Sequence, residues 1–218
     1  LAVKNLEQLI GKSELIIEAA SAASSRDIAR RSLRAGRDIM IMSAGGVAGH
    51  IGQLSALAKK NNAKVYIPSG AISGVDAVKA SKIGKIKSVT LTTRKNPMSF
   101  QGVKYVQERG IKLETIRKDT VLFCGPAKEA VKYFPQNINV AAVLGLAGIG
   151  QEKTIVKIIA SPQTKRNIHE IKIESGAGII TTRTENVLHP QNPKTSFLAV
   201  LSAMETLRQI MEPVRIGS

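Results

Sequence analysis

Three short apolar runs constrain the fold more than any other feature of this chain. Leu15-Ile16-Ile17-Glu18-Ala19, Asp38-Ile39-Met40-Ile41-Met42 and Lys64-Val65-Tyr66-Ile67 are too brief for helices and too continuously apolar for strands with one wet face. Helix signals separate them. Ser24 or Ser25 can cap a helix running toward Ala35, with Gly36 as its stop, and the bend Ser43-Ala44-Gly45-Gly46 leads into a helix ending near Lys60. Buried strands alternating with helices predict a parallel sheet covered on both faces. The pattern is that of one half of a doubly wound nucleotide-binding domain.

The middle of the chain changes period. Segments 87–93, 154–159, 168–173 and 179–184 alternate apolar and polar residues, which predicts an antiparallel or mixed open sheet with one polar face. Helices near Phe100 to Glu108, Ala127 to Tyr133 and Val140 to Leu146 would cover its other face. A last helix from about Lys194 to Met211 carries Leu198, Leu201, Met204, Leu207 and Ile210. The expected fold is therefore α/β: a partial Rossmann domain, residues 1–70, joined by the C-terminal helix (193–218), and an α+β mixed-sheet catalytic and dimerisation domain, residues 71–192. The site is expected in the cleft between them.

Composition narrows the function classes. At 218 residues and 43% hydrophobic, the chain is long enough for sizeable cores. No stretch approaches the roughly 20 apolar residues of a membrane span. The start lacks the features of a signal peptide, and a single cysteine, Cys124, excludes an internal disulfide and a multi-cysteine metal site. These features point to a cytoplasmic protein. Leu1 is not an initiator methionine, so the natural chain is expected to begin earlier. The net charge of +16 would suit nucleic acid, but the basic residues are scattered and aromatics make up only 3%, so platforms for stacking bases are scarce. A surface that attracts anionic metabolites, or one with no specific role, is the better reading, with neither nucleic acid nor membrane as partner.

Four regions could carry chemistry. Ligands of parallel sheets bind beyond the carboxyl ends of the strands, which points to Ala20-Ser21, Ser43-Ala44-Gly45-Gly46 and Ser69-Gly70-Ala71-Ile72-Ser73-Gly74. Small residues there let backbone approach a ligand closely, and ordinary turns of an α/β fold have the same composition. Asn139, in Asn137-Ile138-Asn139-Val140, is either an N-cap or an amide able to read a carboxamide. Asn192-Pro193-Lys194-Thr195-Ser196 reads as a helix start, where Lys194 and Thr195 could hold a carboxylate and Asn192 serves equally as a structural cap. The fourth region is 167–173, where counting by twos puts His169 on one face with Ile171 and Ile173. Such a histidine is either a packed core residue or an imidazole kept neutral by burial, the form a general base needs. His50 and His189 have no such frame, and three dispersed histidines do not make a metal site.

Five ordered motifs resemble one family. Tyr66-Ile67-Pro68-Ser69-Gly70-Ala71-Ile72, Leu91-Thr92-Thr93-Arg94-Lys95, Phe134-Pro135-Gln136-Asn137-Ile138-Asn139-Val140-Ala141, Asn167-Ile168-His169-Glu170-Ile171 and Asn192-Pro193-Lys194-Thr195-Ser196 are similar to segments of L-aspartate dehydrogenases, particularly archaeal ones. The ending Glu212-Pro213-Val214-Arg215-Ile216-Gly217 shares the resemblance, which runs across the whole chain. It implies oxidative deamination of L-aspartate through iminoaspartate with NAD or NADP as cofactor, a homodimer, and a role feeding NAD biosynthesis. It also implies that His169 is catalytic and that Ala71 and Asn139 contact the cofactor. The family's Gly-x-Gly-x-x-Gly turn does not occur in these residues, so this stretch alone is expected to hold NAD poorly. The residues leave two alternatives open: another two-domain amino-acid or semialdehyde dehydrogenase, and a non-catalytic binding remnant.

Overall fold

A computed structural model describes residues 2–134 and 139–217. The chain divides into two compact units, Leu1–Pro68 and Ser69–Ser218.

In the first unit α1 (Leu6–Gly11) precedes β1 (Leu15–Glu18), α2 (Ala22–Arg34), β2 (Asp38–Ile41), α3 (Ile51–Lys60) and β3 (Val65–Tyr66). The three strands form a parallel sheet in sequence order. Consecutive right-handed crossovers carry both connecting helices to one face, and α2 and α3 indeed pack on each other. Ile16, Ile39 and Ile41 meet Leu33 and Leu54 in the core beneath them. On the opposite face Ile17 is 48% exposed, so within this unit the helices cover one side, as in half of a doubly wound sheet. The cap of α2 differs from expectation. Ser21 holds the extended backbone of an N-cap, and its hydroxyl accepts from the Ser24 amide, while Ser24 and Ser25 lie inside the helix. Gly36 ends that helix with φ +66, a left-handed conformation natural to glycine.

The second unit is built on a five-stranded mixed sheet. Its elements are α4 (Val75–Ile83), β4 (Ile86–Lys95), α5 (Lys104–Glu108), β5 (Thr120–Pro126), α6 (Ala127–Tyr133), α7 (Asn139–Ala147), β6 (Ile155–Ala160), β7 (Asn167–Ser175) and β8 (Gly178–Asn186). Strand order is β5-β6-β4-β7-β8, with β4 and β6 parallel and the other pairs antiparallel. Val89, Leu91, Val156, Ile158, Ile171 and Ile173 line one face and form the larger core, while Glu170, Lys172 and Glu174 alternate onto the other. Two expectations are corrected. The helix foreseen from Phe100 to Glu108 is a 3₁₀ turn, Pro97–Phe100, followed by the short α5. The segment foreseen as a helix start is a strand: β10 (Asn192–Ser196) pairs antiparallel with β9 (Leu188–His189), and α8 (Phe197–Met211) begins only after it. Ladder pairing to a strand two residues upstream overrides the local helix-start signal.

Candidate active site

The site grows from one row of residues across the second sheet. β4 and β7 run antiparallel with Thr93 opposite His169, and β7 and β8 place Thr184 opposite His169 on its other side. The alternation that buries Ile171 and Ile173 turns His169 onto the same covered face, where it is 3% exposed. Its Nδ1 lies 3.0 Å from Thr93 Oγ1. Burial pushes the imidazole pKa down to about 3, and the nearby Lys95 charge pushes the same way. The ring is therefore neutral across the physiological range.

Lys95 was not among the expected site residues. The alternating apolar–polar pattern ends at Thr93, but β4 continues to Lys95. Counting on by two puts this lysine on the face of Val89, Leu91 and Thr93. It is 7% exposed, and burial lowers its pKa to about 8.

Ala71 reaches the same row through β8. Its carbonyl accepts from Thr184 Oγ1 at 3.1 Å and from Asn186 Nδ2 at 2.9 Å, and Thr182 Oγ1 donates to the Ser73 carbonyl at 3.1 Å. Thr184 also sits 3.4 Å from the His169 carbonyl. The loop is closed by Gly74, whose φ is +86 and whose missing Cβ would stand 2.8 Å from Thr182. A Cβ at Gly70 would lie 3.9 Å from Val140, so the loop also passes the first turn of α7. Asn139 lies within that helix, not before it. Residues 135–138 of its motif lie outside the described residues.

The other expected residues fall into two groups. Asn167 Nδ2 lies 3.3 Å from Ser196 Oγ, so β10 ends beside the start of β7, two residues from His169. Thr195 is half-buried in β10, and the Lys194 side chain lies outside the described residues. Neither stands at a helix N-terminus, because Asn192–Ser196 is extended. In the first unit, Ala20, Ser21 and Ser43 follow strand ends as expected, joined by a residue that was not foreseen. The buried Glu18 carboxylate accepts from the Ala20 amide at 2.8 Å, the Ser43 amide at 3.1 Å and the Ser43 hydroxyl at 3.0 Å. An acidic residue ending an apolar strand is the signal that could have found it. This edge of small residues at strand carboxyl ends, beside the capped start of α2, suits a nucleotide. Among the described residues no group of His, Cys, Asp or Glu could hold a metal ion.

A parallel βαβ unit with such an edge, followed by a mixed sheet bearing a buried neutral imidazole, defines the class of two-domain nicotinamide-dependent dehydrogenases. Residues 1–68 match the family model described as homoserine dehydrogenase, NAD binding domain, and residues 76–210 match aspartate dehydrogenase, C-terminal. The chain is 50% identical to the L-aspartate dehydrogenase of Methanosarcina barkeri, covering 100% of this chain and 81% of that protein. With the Methanosarcina mazei L-aspartate dehydrogenase the identity is 48%, at the same coverage. The crystal structure of aspartate dehydrogenase from Thermotoga maritima superposes with a TM-score of 0.76 at 30% identity, covering 94% of this chain and 78% of that one. The chain belongs to the L-aspartate dehydrogenase family.

Proposed function

We propose that this protein catalyses NAD(P)-dependent oxidation of L-aspartate to iminoaspartate, which water converts to oxaloacetate and ammonia. The observation that carries the reading is the buried, neutral His169 held by Thr93, in a chain half identical over its whole length to a protein named for that activity. The bound nicotinamide would supply the hydride acceptor for Cα. His169 takes the proton released at the substrate nitrogen, or activates the water that attacks the imine. In the tautomer whose Nδ1–H donates to Thr93, the Nε2 lone pair is the basic one.

The anchored Ala71 backbone and the Asn139 amide line the nicotinamide side. Ala20, Ser21 and Ser43 serve the rest of the nucleotide, shaped by the Glu18 carboxylate. Lys194 and Thr195 are the residues assigned to the substrate. The protein works as a homodimer in the cytoplasm and feeds iminoaspartate to NAD biosynthesis.

Replacing His169 with Ala in the full-length protein should lower kcat by about 10²- to 10⁴-fold and leave NAD affinity nearly intact. Unchanged turnover sinks the assignment, and turnover of glutamate or alanine without aspartate overturns the substrate.

A further inference from the structure

We propose that Thr184 and Asn186 are positioning residues, which fix the nicotinamide relative to the acid/base His169 by holding the Ala71 carbonyl. The proposal rests on the reading above, in which Ala71 lines the nicotinamide side, and it names what sets that side against the base.

β8 meets the loop with side chains where a sheet would use main chain. Thr182, Thr184 and Asn186 stand two residues apart and share one face of β8. Their donors reach carbonyls that are likewise two residues apart. Thr182 Oγ1 donates to Ser73, while Thr184 Oγ1 and Asn186 Nδ2 both donate to Ala71. β7 fills the same face with Ile171 and Ile173. Polar groups in that position, with Asn186 only 4% exposed, are costly unless bonded, and these bonds go to the loop.

The Ala71 carbonyl is the point held most firmly. It has two lone pairs, and donors at 3.1 Å and 2.9 Å from separate residues occupy both. One bond leaves a carbonyl free to swing, whereas two from different directions fix its position and its aim. Asn186 Nδ2 also lies 3.4 Å from Thr184 Oγ1, so the two donors brace each other. Thr184 in turn stands opposite His169 in the β7–β8 ladder, its hydroxyl 3.4 Å from the His169 carbonyl. The nicotinamide-side loop and the base are thereby referenced to adjacent strands about 4.8 Å apart. Hydride transfer demands that alignment, because a misplacement of about 1 Å can cost about 10²-fold in rate.

The test compares wild type, Thr184→Val and Thr184→Ser in the full-length protein by steady-state kinetics, calorimetry with NAD and NADP, and thermal melting. Valine keeps the shape and removes the donor; serine keeps the donor. The expected result for valine is a kcat lowered about 10-fold or more and a KM for the nicotinamide cofactor raised about threefold or more, with KM for L-aspartate changed less than about twofold. Serine should keep kcat within about threefold of wild type. A merely structural role would lower Tm without that split. A folded valine variant with wild-type kcat and cofactor KM overturns the proposal, and so does a loss that serine shares in full. If the valine variant does not fold, Asn186→Ala, which leaves Ala71 its Thr184 bond, is read in the same way. Collapse of both variants makes the pair an element of the fold and overturns the positioning role. If wild type does not turn over L-aspartate, the aspartate reading falls alone. A cofactor Kd raised about threefold or more in the valine variant then supports the positioning role, and an unchanged Kd overturns it.

Discussion

Thr93 Oγ1 stands 3.0 Å from His169 Nδ1, and both groups are buried on one row of the sheet. The contact joins residues 76 positions apart through a ladder that leaves little choice of register. Its chemical content is tautomer choice, because a ring nitrogen engaged by the hydroxyl leaves the other to face the reaction. Thr93→Val keeps the shape and removes the hydroxyl. It should lower kcat/KM for L-aspartate at least ~10-fold, and leaving Nδ1 without its partner should cost about 1–3 kcal/mol of stability. Kinetics with chemical denaturation checks both. A valine variant with wild-type kcat/KM would show that the hydroxyl does not set the ring.

Acid should weaken the fold through the same histidine. In the folded chain the His169 pKa is about 3, whereas an unfolded histidine titrates near 6.5. Between those values the unfolded state binds one proton more than the folded state, so stability falls as pH drops through that window, by about 1.4 kcal/mol per unit. His169→Gln abolishes the titration. From pH 7 to pH 5 the wild type should lose about 2 kcal/mol more than this variant. Parallel pH profiles in denaturant titrations would contradict the burial of a neutral ring.

Glu18 makes the first unit sensitive to an isosteric change. Its carboxylate accepts three hydrogen bonds from Ala20 and Ser43, and the amide of Glu18→Gln turns a donor toward groups that already donate. A loss of about 1.5–3 kcal/mol is expected, together with weaker NAD binding. A lowered Tm and a raised Kd for NAD in calorimetry are the expected readouts. Unaltered NAD affinity in a destabilised variant would mean that the carboxylate holds the loops without shaping them for the nucleotide.

Legibility in the sequence followed the range of the interactions. The alternation of 168–173 is local, and it placed His169 inward, where it is found. The apolar runs of the first unit likewise marked three parallel strands. Lys95 escaped because Arg94-Lys95 looks like the polar end of a strand, and only pairing with Ile159 and Ala160 of β6 shows that β4 runs on. Asn192-Pro193-Lys194-Thr195-Ser196 carries every local mark of a helix start, yet its partner is a strand. Ser21 lost to Ser24 and Ser25 because all three residues can cap, and the extended backbone decides which does. The Ser43 partner of Glu18 and the Ala71 partner of Asn186 lie 25 and 115 residues away, beyond any local pattern.

The doubly held carbonyl of Ala71 bears on anyone who would transplant this loop. What Thr184 and Asn186 grip is main chain, so the identity of residue 71 is not what seats it. A graft of Ser69–Gly74 onto another dehydrogenase scaffold would carry the right letters and arrive unmoored. The instructions for its shape are written on β8, more than a hundred residues away, and a designer would have to move Thr182, Thr184 and Asn186 with it.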